Sequence, residues 1–406
     1  MHHSEPIVAE EQTLVRLGEI RADRGVRKAV RFLHSHAAEI EADQIRITQI
    51  PAPSFEETPR AEHFRDRLRE AGFTAELDGI GNVVAPYGVM GTDPVVVGAH
   101  LDTVFGSDTP LEMCRRGSVI ELPGIADNGA GLVALLWFFR AARATGLVFE
   151  RPLVAVADVG EEGIGDLRGI RHVFERPPWD GLSDFIALDG GGLRRITNRG
   201  LGSRRFRMTL VGPGGHSWAD FGTGNPIHGL ARGIGEFMTA MSGMDDSASY
   251  NVGVIEGGIS VNAIPAHAHM EVDIRATDQG RIDRMEERLR SAVGAGALEA
   301  RLDCEVEIIG ERPAGVTSPT GRLVGMASEA TRLCGAQPVL DVASTDANIP
   351  MSMGIPAIAI GAGGSCGAIH TRREWFDPKG RQAGLERLLL LVAGMAGLAS
   401  PRASAL

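Results

Sequence analysis

The sequence predicts an α/β protein with a mostly parallel central sheet flanked by helices, interrupted by an inserted α+β unit. Three observations lead there. Short apolar or β-branched runs at Val95–Ala99, Leu153–Ala157, Phe185–Leu188 and Ala357–Ile360 read as strands buried on both faces. Helix-length apolar patterns occur between and around these runs. Between about residues 203 and 313 the texture changes to strand–helix–strand–strand–helix–strand, the ferredoxin-like order. The expected division is 1–202 and 314–406 for the first domain and 203–313 for the insertion.

Composition sets the bounds. The chain has 406 residues, 43% hydrophobic and 23% charged, enough for two or three domains. Its formal charge is 41 − 52 = −11 and it carries no basic block, so nucleic acid is not an expected partner. No apolar run is long enough to span a membrane. The start, Met1-His-His-Ser-Glu-Pro, lacks the cationic and apolar regions of a signal peptide, and His2 and His3 are given no role. Cys114, Cys304, Cys334 and Cys366 share no C-x-x-C spacing. Few scattered thiols suit a reducing compartment, so the expected location is the cytoplasm.

In order, Glu11 to about Gln44 reads as helical, with Leu14, Leu17, Ile20, Val26, Val30 and Leu33 on one face. Pro51 and Pro53 end that pattern. Thr58–Ala71 is a second helix, with Thr58 as N-cap and Pro59 at its first position. Ala75–Leu77 and Asn82–Ala85 read as a hairpin. Leu132–Thr145 is apolar nearly all round and therefore a buried helix, with Asp127 at its mouth. In the insertion, strands are expected at Arg205–Val211, Asn251–Glu256, Ala266–Arg275 and Cys304–Ile309, with helices at Asn225–Met241 and Thr277–Val293. The first pattern then resumes with helix Thr320–Cys334, a strand at Pro338–Val342 and a last apolar helix, Gly384–Leu398. The tail from Ala399 reads as frayed.

The strand ends carry the chemistry. In open α/β sheets ligands bind outside the carboxyl ends of the strands. Here those ends deliver His100 and Asp102, Glu161-Glu162, Asp189 and, after a Gly-rich loop, His370. Two dications carry four positive charges. Asp127, Glu162 and Asp189 supply three negative ones and a bound hydroxide the fourth, with His100 and His370 as neutral donors. Mixed imidazole and carboxylate ligation suits zinc, with manganese or cobalt as alternatives. Asp127, central in the set, is the candidate bridging ligand. Asp102 is placed to accept a hydrogen bond from the other ring nitrogen of His100. Adjacent glutamates do not readily share one metal. With Glu162 as ligand, Glu161 is left as the general base that takes a proton from the attacking water and hands it to the leaving amine.

On these segments the chain resembles the dinuclear zinc exopeptidase and deacylase family that includes aminotripeptidase, glutamate carboxypeptidase, acetylornithine deacetylase and succinyl-diaminopimelate desuccinylase. The matching stretches are Gly98-Ala-His-Leu-Asp-Thr103, Gly124-Ile-Ala-Asp-Asn-Gly-Ala-Gly131, Gly160-Glu-Glu-Gly163, Gly212-Pro-Gly-Gly-His-Ser217, Val261-Asn-Ala-Ile-Pro265 and His370-Thr371. The resemblance implies a zinc-exopeptidase-like catalytic domain with the insertion as a lid and dimerisation domain. It implies one metal on His100, Asp127 and Asp189, and a second on Asp127, Glu162 and His370. It also implies a cis peptide between Asp127 and Asn128. His216 is implied to cross a homodimer and stabilise the oxyanion opposite the metals. Asn262 and Arg275 resemble the family's substrate-contacting residues, an Arg fork suiting a carboxylate. Asp189 rather than Glu after the third strand leans toward aminopeptidases and dipeptidases. The carbamoylase branch, with a histidine there, fits badly.

The leading expectation is a dinuclear metallohydrolase cleaving an amide bond of small peptides, amino- or dipeptidase-like. The alternative within the family is an N-acyl amino acid deacylase. A reading of a different class, a non-catalytic binding or interaction protein on the same fold, is disfavoured because every candidate ligand and the base are present.

Overall fold

The computed structural model describes residues 11–399 apart from Met90, Thr92, Pro178, Asp180 and Leu182. His2, His3 and the tail beyond Ala399 lie outside the described residues. The chain divides into two units: one built from the segment up to Arg199 and from Val316 onward, the other Gly200–Gly315.

The first unit is organised on a nine-stranded sheet. Its centre is four parallel strands in the order Leu153–Asp158, Val95–His100, Asp184–Leu188, Ala357–Ile360. Because they run the same way, all four carboxyl ends reach one rim. The sequence runs are apolar throughout because both faces are covered. Val95, Val97, Ala99, Ile186 and Ile360 join the core that holds the fully buried helix residues Leu132, Leu135 and Trp137. Val96, Val156, Phe185 and Ala187 pack on the opposite side with Ile170 and Phe174. The helix Gly129–Thr145 is enclosed from Leu132 to Phe139, as its all-round apolar pattern requires. Antiparallel strands extend the sheet on both sides, Val83–Tyr87 next to Leu153–Asp158 and Arg195–Gly200 next to Ala357–Ile360.

Several elements differ from expectation for local reasons. The single helix expected from Glu11 is three, Glu11–Ala22, Arg24–Ser35 and Ala37–Thr48. The Asp23 carboxylate accepts from the amides of Gly25 and Val26 and so starts the second helix as an N-cap. Apolar periodicity is blind to that break, because Leu17, Val26, Leu33 and Ile40 all enter one core. The cap of Thr58–Glu70 is Glu57, not Thr58, and Glu57 makes no cap bond; its two oxygens accept from Arg168 at 2.7 Å. Helices Arg168–Glu175 and Asn348–Ser352 and the small sheet of Cys114–Arg116, Val119–Glu121, Ser365–Gly367 and Trp375–Asp377 were not foreseen. Segments of three to eight residues hold too few positions for a period to show.

The second unit follows the ferredoxin-like order. Its antiparallel sheet runs Ala248–Gly257, His267–Ala276, Gly202–Val211, Asp303–Arg312. Phe206, Met208, Leu210, Met270, Val272 and Ile274 form one buried face under the helices Pro226–Ala240 and Gln279–Glu299. The other face is ionic, with Arg207 paired to Glu271 at 2.7 Å and to Glu307 at 3.3 Å. The second helix runs beyond the expected end at Val293, through Gly294-Ala-Gly-Ala297. A Cβ on Gly296 would sit 2.6 Å from the Gly229 carbonyl of the neighbouring helix. These glycines allow close helix packing, which offsets their poor helix propensity.

Candidate metal centre

His100 closes its strand and is buried. Its Nε2 lies 3.0 Å from Asp127 Oδ1, and its Nδ1 lies 3.1 Å from the backbone carbonyl of Asp102. The Asp102 carboxylate is 3.7 Å from that nitrogen, beyond hydrogen-bond length. The expected side-chain bond between His100 and Asp102 is therefore corrected. The ring is oriented by the main chain two residues on. The Asp102 carboxylate instead accepts from the amides of Glu161 and Glu162, each at 2.9 Å, and from Ser54 Oγ at 2.7 Å. Three close donors satisfy it, and through them Asp102 holds the Glu-Glu turn against the His100 strand. Burial opposes its charge, but His100 and the Ser54 bond keep its carboxyl below the usual range.

Asp127 precedes the buried helix without capping it. Asn128 is the N-cap: its Oδ1 accepts from Gly131 and its Nδ2 donates to the Leu188 carbonyl. The peptide between Asp127 and Asn128 is cis. Asp127 presents one oxygen to each imidazole, Oδ1 to His100 and Oδ2 to His370 Nε2 at 3.1 Å. His370 Nε2 also lies 3.0 Å from Glu162 Oε1. Donor atoms of His100, Asp127 and Glu162 all fall within 4.8 Å of one another. Asp189 follows the third strand, its amide bonded to the Ile360 carbonyl, and its carboxyl feels the charges of Asp127, His100 and Glu162. Glu161 is 6% exposed.

The charge pattern tests whether this donor set suits cations. Burial disfavours a charged His100, but the carboxylates of Asp102 and Asp127 outweigh it and hold its pKa well above the ordinary value. Asp127 and Glu162 raise His370 to about 10. Burial and the Asp127 charge push Asp189 up to about 7. Protons thus balance a crowd of carboxylates at the atoms a metal would use. A dication does that better and displaces them, so the donor set fits divalent metal.

Residues without a motif hold the frame. Glu374 is fully buried, and its carboxylate accepts from the amides of Gly124, Ala126 and Asp127 at 2.8 to 3.1 Å. Arg60, also buried, donates to the carbonyls of Thr48, Ile50 and Leu101 and ties the helical layer to the residue after His100. Asp158 faces His100 across the ladder, and burial pushes its carboxyl up to about 6. The spacing of Glu374, four residues after His370, was a usable signal; Ser54 and Arg60 offered none. Glu374→Ala leaves three buried amides without an acceptor. It is expected to cost about 3–5 kcal/mol, read as a lowered denaturant midpoint.

In the second unit, His216 lies in the two-residue strand Gly215–His216, paired with Ala263–Ile264, and is exposed. Its Nδ1 accepts from the amides of Trp218 and Ala219, which leaves Nε2 to carry the proton of the neutral ring. The Asn262 carbonyl accepts from the Ser217 amide, so His216 and Asn262 lie at the same end of this small two-stranded ladder. Arg275 sits apart on the His267–Ala276 strand, its Nε donating to Asp273 at 2.6 Å.

Imidazoles and carboxylates gathered past the ends of a doubly covered parallel sheet define an α/β protein with a metal-type donor cluster. A sequence model of Peptidase family M20/M25/M40 matches residues 96–394, and the chain belongs to that family. It is 27% identical to the cytosol non-specific dipeptidase of Escherichia coli strain K12 over 259 residues, 57% of this chain and 52% of the dipeptidase. The match thus spans about half of that relative. The fold is that of aminopeptidase PepT from Bacillus cereus, with a TM-score of 0.73 at 19% identity, covering 88% of this chain and 98% of that one. It is also that of the Bacillus subtilis YXEP protein, described as a dinuclear metal binding peptidase, with a TM-score of 0.69 at 16% identity, covering 90% and 100%.

Proposed function

We propose that the chain is a metal-dependent hydrolase that cleaves the amide bond of small peptides, as an amino- or dipeptidase-like exopeptidase of the cytoplasm. The observation that carries this is Asp127, with one oxygen turned to His100 and the other to His370. That is the posture of a ligand shared by two metals. His100 and Asp189 would complete one cation site, and Glu162 and His370 the other, most simply for zinc. Two bound dications would polarise the scissile carbonyl and acidify the attacking water. Glu161, fixed through its amide to Asp102, takes the water proton and delivers it to the leaving amine. The Gly200–Gly315 unit is assigned the dimerising role. His216 offers its Nε2 proton to the oxyanion on the partner's substrate. Asn262 and Arg275 are the assigned substrate contacts, Arg275 using the part of its fork that Asp273 leaves.

The test is a panel of di- and tripeptides beside N-acetyl and N-succinyl amino acids, assayed with zinc, manganese and cobalt. Peptides are expected to turn over at least roughly tenfold faster than the N-acyl compounds, a margin that matched pocket contacts readily supply. The reverse order assigns a deacylase. A protein that fills with metal yet cleaves nothing is a binding protein.

A further inference from the structure

We propose that Phe55 and Ile164 form an apolar subsite beside the candidate metal centre, which takes an aliphatic or aromatic side chain of the substrate next to the cleaved bond. The inference rests on the amide-hydrolase reading above and adds a substrate class to it. The Glu162 carbonyl accepts two hydrogen bonds, from Ser54 Oγ at 3.2 Å and from the Gly165 amide at 2.8 Å. Phe55 follows the first donor and Ile164 precedes the second. Both apolar residues therefore flank the backbone of a candidate metal ligand. Phe55 is 58% exposed and Ile164 75% exposed, the largest apolar side chains next to that turn and in contact with water.

Phe55 is also held in place. Its φ is 75°, a left-handed conformation that a bulky residue rarely adopts. The Arg168 guanidinium lies 4.8 Å from the centre of its ring. Arg168 is in turn locked by both oxygens of Glu57. The Arg168 chain also lies against Gly160, where a Cβ would come within 2.8 Å of it. Gly160 has φ +72° and immediately precedes Glu161. Arg168 thus touches both the Phe55 ring and the turn that carries the proposed base. A strained backbone, a stacked cation and a half-buried ion pair hold one exposed ring next to that turn. Nothing in the packing of the core needs the ring there, since it is absent from both core clusters of its unit. A pre-positioned ring gives up little freedom when a ligand covers it.

The test reads binding, so it does not depend on turnover. Leucine hydroxamate and glycine hydroxamate are titrated calorimetrically into the metal-loaded protein. The parent is expected to favour leucine by roughly tenfold or more, the scale on which a hydrophobic pocket separates such side chains. Phe55→Ser and Ile164→Ser should each reduce that ratio by about threefold or more, and Phe55→Leu should keep most of it. Equal affinity of the parent for the two hydroxamates overturns the subsite. So does a ratio unchanged in both serine variants, or one lowered as much by Phe55→Leu as by Phe55→Ser. Failure to cleave any peptide would defeat the hydrolase reading and leave this binding preference measurable.

Discussion

A Glu161→Gln protein is expected to bind its metals as the parent does and to hydrolyse its best peptide about a thousandfold more slowly. The substitution keeps shape and hydrogen-bonding reach while removing the ability to accept a proton near neutral pH. General base catalysis accounts for about 10²–10⁴ in rate, and here one group would serve both the water and the leaving amine. The Glu161 amide still donates to Asp102, so the turn, the neighbouring Glu162 and the Ser54 contact persist. That separates the roles of two adjacent glutamates. Glu162→Gln should lower metal content, because its Oε1 faces His370 Nε2 at 3.0 Å. Metal analysis and kcat, measured on both proteins, decide the assignment. Turnover within a few-fold of the parent in Glu161→Gln would remove it as the base.

What the sequence showed and what it concealed divide along physical lines. Four buried parallel strands were legible because burial on both faces leaves runs such as Val95–Ala99 and Leu153–Ala157 without a polar residue. Those runs also pointed to His100, Glu161, Glu162 and Asp189, since each closes or follows a strand and so falls at the rim. His370 and Asp127 lie on loops, and their approach within 3.1 Å across 243 residues carries no periodic signal. Asp102 was associated with the site and with His100, but its close donors were not foreseen. Short spacing suggested His100, whereas the carboxylate meets amides 59 and 60 residues away. Ser54 and Arg60 show the same limit, since their partners Asp102 and Leu101 lie 48 and 41 residues away. The breaks at Asp23 and His36 were hidden because a bend that keeps one apolar face inward leaves the pattern intact.

Asp127→Ala should have the largest consequence of any single substitution. The carboxylate stands between two imidazoles, 3.0 Å from one and 3.1 Å from the other, so its loss removes a donor from both proposed metal positions at once. Metal content should fall from about two ions per chain to less than one, and turnover by about 10⁴-fold or more, since both the polarised carbonyl and the activated water depend on the pair. The fold should survive. The residue 127 amide still donates to Glu374, and Asn128 still caps the buried helix, neither through the lost side chain. The pH dependence of metal uptake gives an independent check. In the parent, His370 holds its proton up to about pH 10 because of Asp127 and Glu162. Metal must displace that proton, so affinity rises with pH across the neutral range, by up to about tenfold per unit for each proton released. Without Asp127 one of the two attractions is gone, and the slope between pH 6 and 8 should flatten for whatever metal still binds. Two tightly held ions in Asp127→Ala, with the parent's slope, would mean that the cations sit elsewhere. The proposed chemistry would then lose its centre.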